Sequence, residues 1–388
     1  MRRQLIGDLI ELQRRRIDVD PLGTYEEIGV RSFGQGLFHK EPVDGIALGN
    51  KRVFEVQPGD LIFSNVFAWE GAVALAGPAE AGRCGSHRFM TYTAKTEDVD
   101  LGYLRYYFMS EPGLAALGVA SPGSAGRNRT LAIERLEGLE ISLPDPVEQG
   151  RVVATLDAVH GRVEDIRRGL ERGALLMGAL QVVAGRRPDI GETEKLRRGW
   201  TRIPLREILV PQQEETLVDL EISYPNVGIL SFGRGLFEKP PIDGSRTSAT
   251  KLFRIRAGQF IYSRLFAFEG AYAVVGKQFD GYFVSNEFPT FAVDTTRAHP
   301  DFLVACFRAP DVWQDLARHG KGLGVRRQRV SPDVILDHEI WLPPTAEQDQ
   351  VAKTIALSDV CGKLRSQMKV RLGALTKATL RRQFGGPL

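Results

Sequence analysis

The sequence predicts an α+β protein in which two similar domains are joined by a long antiparallel helical hairpin, making a pseudo-twofold molecule. Three observations carry that prediction. The chain repeats itself at an offset of 199 residues. Each copy opens with short β-prone runs punctuated by Gly and Pro, and each closes with an apolar stripe at helical spacing.

The repeat needs no gap. Ile28 to Gly45 reads IGVRSFGQGLFHKEPVDG, and Val227 to Gly244 reads VGILSFGRGLFEKPPIDG. FAWEGA, from Phe67 to Ala72, falls on FAFEGA, from Phe266 to Ala271, and Glu148-Gln149 falls on Glu347-Gln348. A period this long marks a duplicated domain and not a solenoid of short units. The implied division is 1–145 for the first domain, 146–184 for its helix, 185–199 for a charged linker, 200–344 for the second domain and 345–384 for the second helix.

Within each domain, runs such as Asp60-Leu61-Ile62-Phe63 and Phe260-Ile261-Tyr262 read as strands. A helix is expected at Leu101 to Met109 and at Asp301 to Phe307, ended by Glu111-Pro112 and Ala309-Pro310. After Pro146 the pattern becomes a seam of Val152, Leu156, Val159, Val163, Ile166, Leu170, Met177 and Leu180. Val351, Ile355, Leu364, Met368, Leu372 and Leu375 make the corresponding stripe. Two such helices in one chain most simply bury their stripes on each other.

Composition excludes several classes. The 388 residues are 43% hydrophobic and 26% charged, which suits globular domains, two or three of them at roughly 150 residues each. No apolar run reaches the ~18 residues of a membrane span, and the start lacks a signal-peptide core, so a cytoplasmic location is expected. Three scattered cysteines support neither a disulfide framework nor a zinc ribbon. With 51 Lys and Arg against 48 Asp and Glu, the mild positive balance allows an anionic partner without requiring one.

Duplication also tests for chemistry, because a shared active site should place matched residues in both copies. The histidines fail: His39, His87 and His160 face Glu238, Asn286 and Asp359, while His299, His319 and His338 face Asp100, Ala120 and Leu139. The cysteines fail as well, so a metal site or His-based acid–base site in both copies is not expected. No acid stands two residues before any Lys, which removes the common nuclease signature, and neither GxG piece extends to GxGxxG.

What the copies share is polar residues among Gly and aromatics: Ser32, Lys40, Asp44, Ser64, Glu70, Ser86 and Arg127, with their counterparts. Such residues suit phosphate and base-edge contact. The candidate DNA contacts in the first copy are Ser32, Gln35, His39, Lys40, Asn65, Trp69, Ser86, Arg88, Arg127, Asn128 and Arg129. In the second they are Ser231, Arg234, Lys239, Arg264, Phe268, Ser285, Asn286, Arg326, Arg327 and Arg329. The Arg residues from 127 and from 326 lie in Gly-rich basic loops ahead of the helices. Competing readings stay open. SFGxGLF also makes a tight turn pinned by Phe33 and Phe38 in the core, and Glu70 and Glu269 also suit an internal cap or pair.

At these residues the chain resembles the specificity subunit of type I restriction-modification systems. Leu143-Pro144-Asp145-Pro146-Val147-Glu148-Gln149 and a long helix, repeated at Leu342-Pro343-Pro344-Thr345-Ala346-Glu347-Gln348, carry the resemblance across nearly the whole chain. It implies a DNA reader without catalytic activity, metal or cofactor. Its partners would be double-stranded DNA, DNA methyltransferase subunits docked on the helices and, through them, a motor-nuclease subunit. The unmatched pairs Gln35/Arg234, His39/Glu238, Asn65/Arg264 and Arg88/Glu287 imply half-sites that are related but not identical. A stand-alone nuclease or transferase, or a protein-only scaffold, are the readings from other classes.

Overall fold

The computed structural model describes residues 2–123, 129–318 and 329–385, and its elements are mixed helix and sheet, an α+β fold. It divides into two compact units, Met1–Arg168 with Met368–Leu388, and Gly169–Gln367. Each long helix therefore begins in one unit and ends in the other.

In the first unit a four-stranded antiparallel sheet runs in the order Val73–Leu75, Leu61–Ser64, Phe89–Ala94, Ile10–Gln13. Leu61–Ser64 is buried along its whole length, as a continuous apolar run in a central strand should be. Phe63 meets Tyr92 and Phe108 edge-on, and the helix Leu101–Met109 closes one side of the sheet through Leu104 and Phe108. Asp100 caps that helix by accepting the Gly102 N–H at 2.7 Å. Glu111-Pro112 does more than end it. A further helix, Glu111–Ala120, starts there, because proline in a first turn forfeits no intrahelical hydrogen bond.

The second unit repeats the design. Its sheet runs Leu209–Pro211, Thr290–Val293, Phe260–Tyr262, Tyr272–Val274, and the pair Tyr272–Tyr262 stands where Val73–Phe63 stands in the first. Pro300–Cys306 and Pro310–Arg318 are the corresponding helices. In both units a two-stranded clip, Arg2–Leu5 with Glu140–Leu143 and Thr201–Pro204 with Glu339–Leu342, ties the start of the domain to the root of its long helix.

The long helices run Pro146–Arg186 and Thr345–Phe384. Their roots are not free stalks. Val152 and Leu156 belong to the core of the first domain, Val351 and Ile355 to that of the second. Gln149, fully buried, donates from Nε2 to the Asp98 and Pro144 carbonyls at 2.8 and 2.9 Å and accepts the Asp100 N–H at 2.9 Å. Gln348 makes the same three bonds, to Arg297, Pro343 and His299, at 2.9, 2.8 and 2.7 Å. The glutamine of the repeated motif is thus the bolt between helix and domain.

The far ends are seated too. In the first unit Leu380 enters the core, Phe384 lies 5.2 Å from the Tyr103 ring, and Arg381 pairs with Glu111 at 3.1 Å. In the second, buried Gln181 accepts from Arg308, Gly185 lies against Ala305 and Cys306, and Arg186 pairs with Asp311. Across the expected linker, 185–199, the long helix continues through Arg186 and Glu192–Arg197 forms a further helix.

The expected seam is also only partly buried. Val152, Leu156, Val163 and Leu372 are buried, whereas Ile166, Leu180, Leu364, Met368 and Leu375 are exposed, along with Leu175, Leu176 and Val370. Burial is concentrated at the ends because the domains supply the partner surface there. Glu164 and Asp165 find their partners locally. Those acids bond Arg167 and Arg168, three residues on in their own helix. No helix among the described residues is long and apolar enough to cross a membrane.

Candidate nucleic-acid interface

The repeated SFG loop is built from backbone conformation upward. Phe33 and Gly34 have φ of 59° and 66°, Phe232 and Gly233 of 64° and 61°. Gly34 is required twice over, by its φ and because a Cβ there would stand 2.2 Å from the Met109 methyl carbon. The loop is zipped to the turn of the FAWEGA segment, Phe67 to Ala72. Phe33 N–H donates to the Glu70 carbonyl at 2.8 Å and Gly34 N–H to Gly71 at 3.0 Å. The Ser32 hydroxyl donates to the Glu70 carboxylate at 3.0 Å. In the second unit Phe232, Gly233 and Ser231 repeat the three bonds to Glu269 and Gly270 at 2.7, 2.8 and 2.8 Å.

This answers two open readings. Glu70 and Glu269 pair internally, and Ser32 and Ser231 direct their hydroxyls to them. The turn is not pinned by Phe33 in the core: Phe33 is 76% exposed and Phe232 60%, while Phe38 is half-buried.

Beside this loop the first unit has a groove of about 440 Å³ lined by Phe38, Lys40, Lys51, Ser64, Phe67, Ser86, His87, Arg88 and Phe89, among others. Of the sequence candidates it gathers Lys40, Ser86 and Arg88. Buried Glu27 holds both lysines, Lys51 Nζ at 2.5 Å and Lys40 Nζ at 3.8 Å, so two flexible cations become fixed features of the wall. Sequence reasoning missed Lys51. The signal was present, since Glu27 and Lys51 are replaced together by Asn226 and Thr250, which leaves each trio, completed by Lys40 or Lys239, one net positive charge.

The unmatched pair Asn65/Arg88 and Arg264/Glu287 occupies one backbone frame. Asn65 N–H donates to the Arg88 carbonyl at 2.8 Å, and Arg264 N–H to the Glu287 carbonyl at 2.9 Å. In the second unit Arg329 completes the set with a 3.1 Å ion pair to Glu287. The first unit presents exposed Arg88 where the second holds an acid beside two cations. Buried Asn65 Oδ1 and Arg264 Nε have no hydrogen-bond partner among the described residues.

Other candidates fall as follows. Gln35, Arg234, Lys239 and Asn286 are exposed, and Arg234 Nε donates to the Ser231 carbonyl at 2.9 Å. His39 Nε2 lies 2.7 Å from the carboxylate of Glu80, which itself accepts the Gly77 N–H, so His39 is held by the fold. Trp69 donates to the Val66 carbonyl at 3.0 Å, and the Arg129 guanidinium lies 5.3 Å from its ring centre. Ser285 and Phe268 are half-buried. Arg127, Asn128, Arg326 and Arg327 lie outside the described residues. Among those described, no cluster of three His, Cys, Asp or Glu is arranged to hold a metal ion.

No family model and no curated protein sequence matches the chain. Solved structures do. A chain from a structure titled as the basis of complex assembly and conformational transition of the type I R-M system matches at 18% identity and TM-score 0.63, covering 100% of this chain and 98% of that one. The type I restriction-modification S subunit from M. genitalium matches at 14% identity and TM-score 0.53, over 100% and 96%. The HsdS subunit from Thermoanaerobacter tengcongensis matches at 19% and TM-score 0.47, over 100% and 97%. At these identities the likeness to the first two establishes a shared fold.

Proposed function

We propose that this chain is the DNA-binding specificity subunit of a type I restriction-modification system. Each domain reads one half of a bipartite, asymmetric target, and the long helices dock DNA methyltransferase subunits. The observation that supports this best is the groove in which Lys40, Lys51 and Arg88 stand with Ser86 and aromatic rings, on a duplicated chain that has the fold of such subunits. Fixed cations suit phosphate contact, and Arg88 with its neighbours suits base edges in a groove. The exposed apolar residues Leu175, Leu176, Leu364 and Met368 on the helices suit a protein partner. The motor-nuclease subunit joins through that complex, in the cytoplasm, and the chain contributes no catalytic group.

The experiment is to express the chain with a type I DNA methyltransferase subunit from the same genome and map modified bases across the host genome. Methylation of one bipartite, non-palindromic sequence is the expected result. Methylation unchanged when this chain is omitted, or cleavage or methylation of DNA by the purified chain alone, would refute the proposal.

A further inference from the structure

We propose that Phe33 and Phe232 are stacking wedges, each inserting its ring at a base step of the half-site its own domain reads. This deepens the DNA-reading function proposed above and rests on it.

The inference starts from backbone strain. A phenylalanine in the left-handed region brings its Cβ close to the following carbonyl oxygen, a conformation that glycine adopts freely. Both copies nevertheless place Phe there, at φ of 59° and 64°. Strain of this kind persists only when the surroundings impose it. Here the backbone bonds from Phe33 to Glu70 and from Gly34 to Gly71, repeated from Phe232 and Gly233, impose it on a fixed loop.

Among the described residues no other ring packs against Phe33, which is 76% exposed, and Phe232 at 60% is scarcely more covered, with Trp313 at 5.9 Å as its ring neighbour. A glycine would remove both the strain and the exposed apolar surface. The ring is therefore presented outward, and what covers it is external.

The surroundings choose the occupant. The turn to which each loop is zipped carries a second exposed ring, Phe67 at 44% and Phe266 at 50%. Phe67 lines the groove with Lys40 and Arg88, and the Arg234 guanidinium lies 5.8 Å from the Phe232 ring centre. Apolar rings bordered by cations match a stack of bases bordered by phosphates. Apolar side chains that enter such a stack partly separate one step and bend the duplex.

The test begins with a random duplex library from which the full-length wild-type chain selects its own target. 2-Aminopurine is then placed at successive positions of the selected duplex, and its fluorescence reports unstacking. One step per half-site should brighten severalfold on binding. Phe33→Gly should abolish the signal in one half-site and Phe232→Gly in the other, each weakening binding about tenfold, as loss of one stacked ring does. Both variants should melt no lower than wild type, because glycine suits the φ, and Phe33→Trp should keep the signal.

Fluorescence and affinity unchanged in the Gly variants would overturn the wedge while leaving the DNA reader standing. Loss of methyltransferase co-purification in those variants, with DNA distortion intact, would overturn it in favour of protein docking. Failure of the chain to enrich any duplex would overturn both the wedge and the reading beneath it.

Discussion

The Gln149 side-chain carbonyl accepts the backbone N–H of Asp100 at 2.9 Å, and the same Asp100 caps the helix Leu101–Met109. One residue thereby locks the root of a long helix to the start of a domain helix. In the second unit Gln348 and His299 stand in the same relation, with His299 Nδ1 accepting the Asp301 N–H at 3.2 Å. His299, a chemical candidate on its residue type alone, is a cap.

Replacing Gln149 with Ala should destabilise the first unit by about 3 kcal/mol, since a buried side chain gives up three hydrogen bonds at roughly 1 kcal/mol each. Gln348→Ala should act equally on the second. Urea unfolding followed by tryptophan fluorescence reads the second unit through Trp200, Trp313 and Trp341, and the first through Trp69. Wild-type midpoints in both variants would show that the bolt carries no stability.

Arg88 and Glu287 share a backbone frame with opposite charge, so their variants should act in opposite directions. Arg88→Ala is expected to weaken DNA binding by about 1–3 kcal/mol at every salt concentration, the loss of one base-edge contact. Glu287→Gln removes the carboxylate that holds Arg329 and should strengthen binding at low salt. Fluorescence anisotropy across a salt series checks both, and parallel shifts in the two variants would defeat the argument.

The seats of the helix ends are not interchangeable. A Cβ at Gly185 would stand 2.8 Å from both the Ala305 carbonyl carbon and its side chain, while Phe384, 199 positions later, needs the room beside Tyr103. Gly185→Phe should therefore cost the second unit roughly 1–3 kcal/mol through overpacking. Phe384→Ala should cost the first unit about 2 kcal/mol through lost ring burial. Differential scanning calorimetry of the full chain distinguishes them, and a Gly185→Phe variant as stable as wild type would remove the size argument.

How much of this was legible beforehand follows from which interactions are local. The duplication, the strand Leu61–Ser64 and the helix Leu101–Met109 rest on short-range pattern and read directly from the sequence. The exposure of Phe33 does not, since an aromatic in a Gly-rich turn gives the same pattern whether its ring points in or out. Only the Glu70 and Gly71 carbonyls, far along the chain, decide it. The helix stripes misled for a related reason. Periodicity marks an apolar face but not its partner, and here the domains cover the ends while Leu364 and Met368 stay exposed. Of the candidate contacts, Lys40, Ser86 and Arg88 were brought to one groove, whereas Ser32 and His39 were claimed by Glu70 and Glu80.

His160 makes stability depend on mild acid. Burial pushes its pKa below the ordinary value of 6.5, Glu164 and Asp157 oppose that shift, and Arg105 and Arg167 reinforce it. The folded state therefore refuses a proton that the unfolded state accepts once the pH falls below about 6.5. Over that interval the unfolded chain binds more protons, so the unfolding free energy rises with pH and levels off above it. Lowering the pH from 7 to 5.5 should reduce the melting temperature of the first unit, and His160→Gln, which carries no proton equilibrium, should show a shallower fall. The check is a series of melts at constant ionic strength, because the flanking ion pair of Arg105 with Asp157 is itself salt-sensitive. If the variant loses stability as steeply as wild type, the acid sensitivity belongs to other groups and His160 is only a packed side chain.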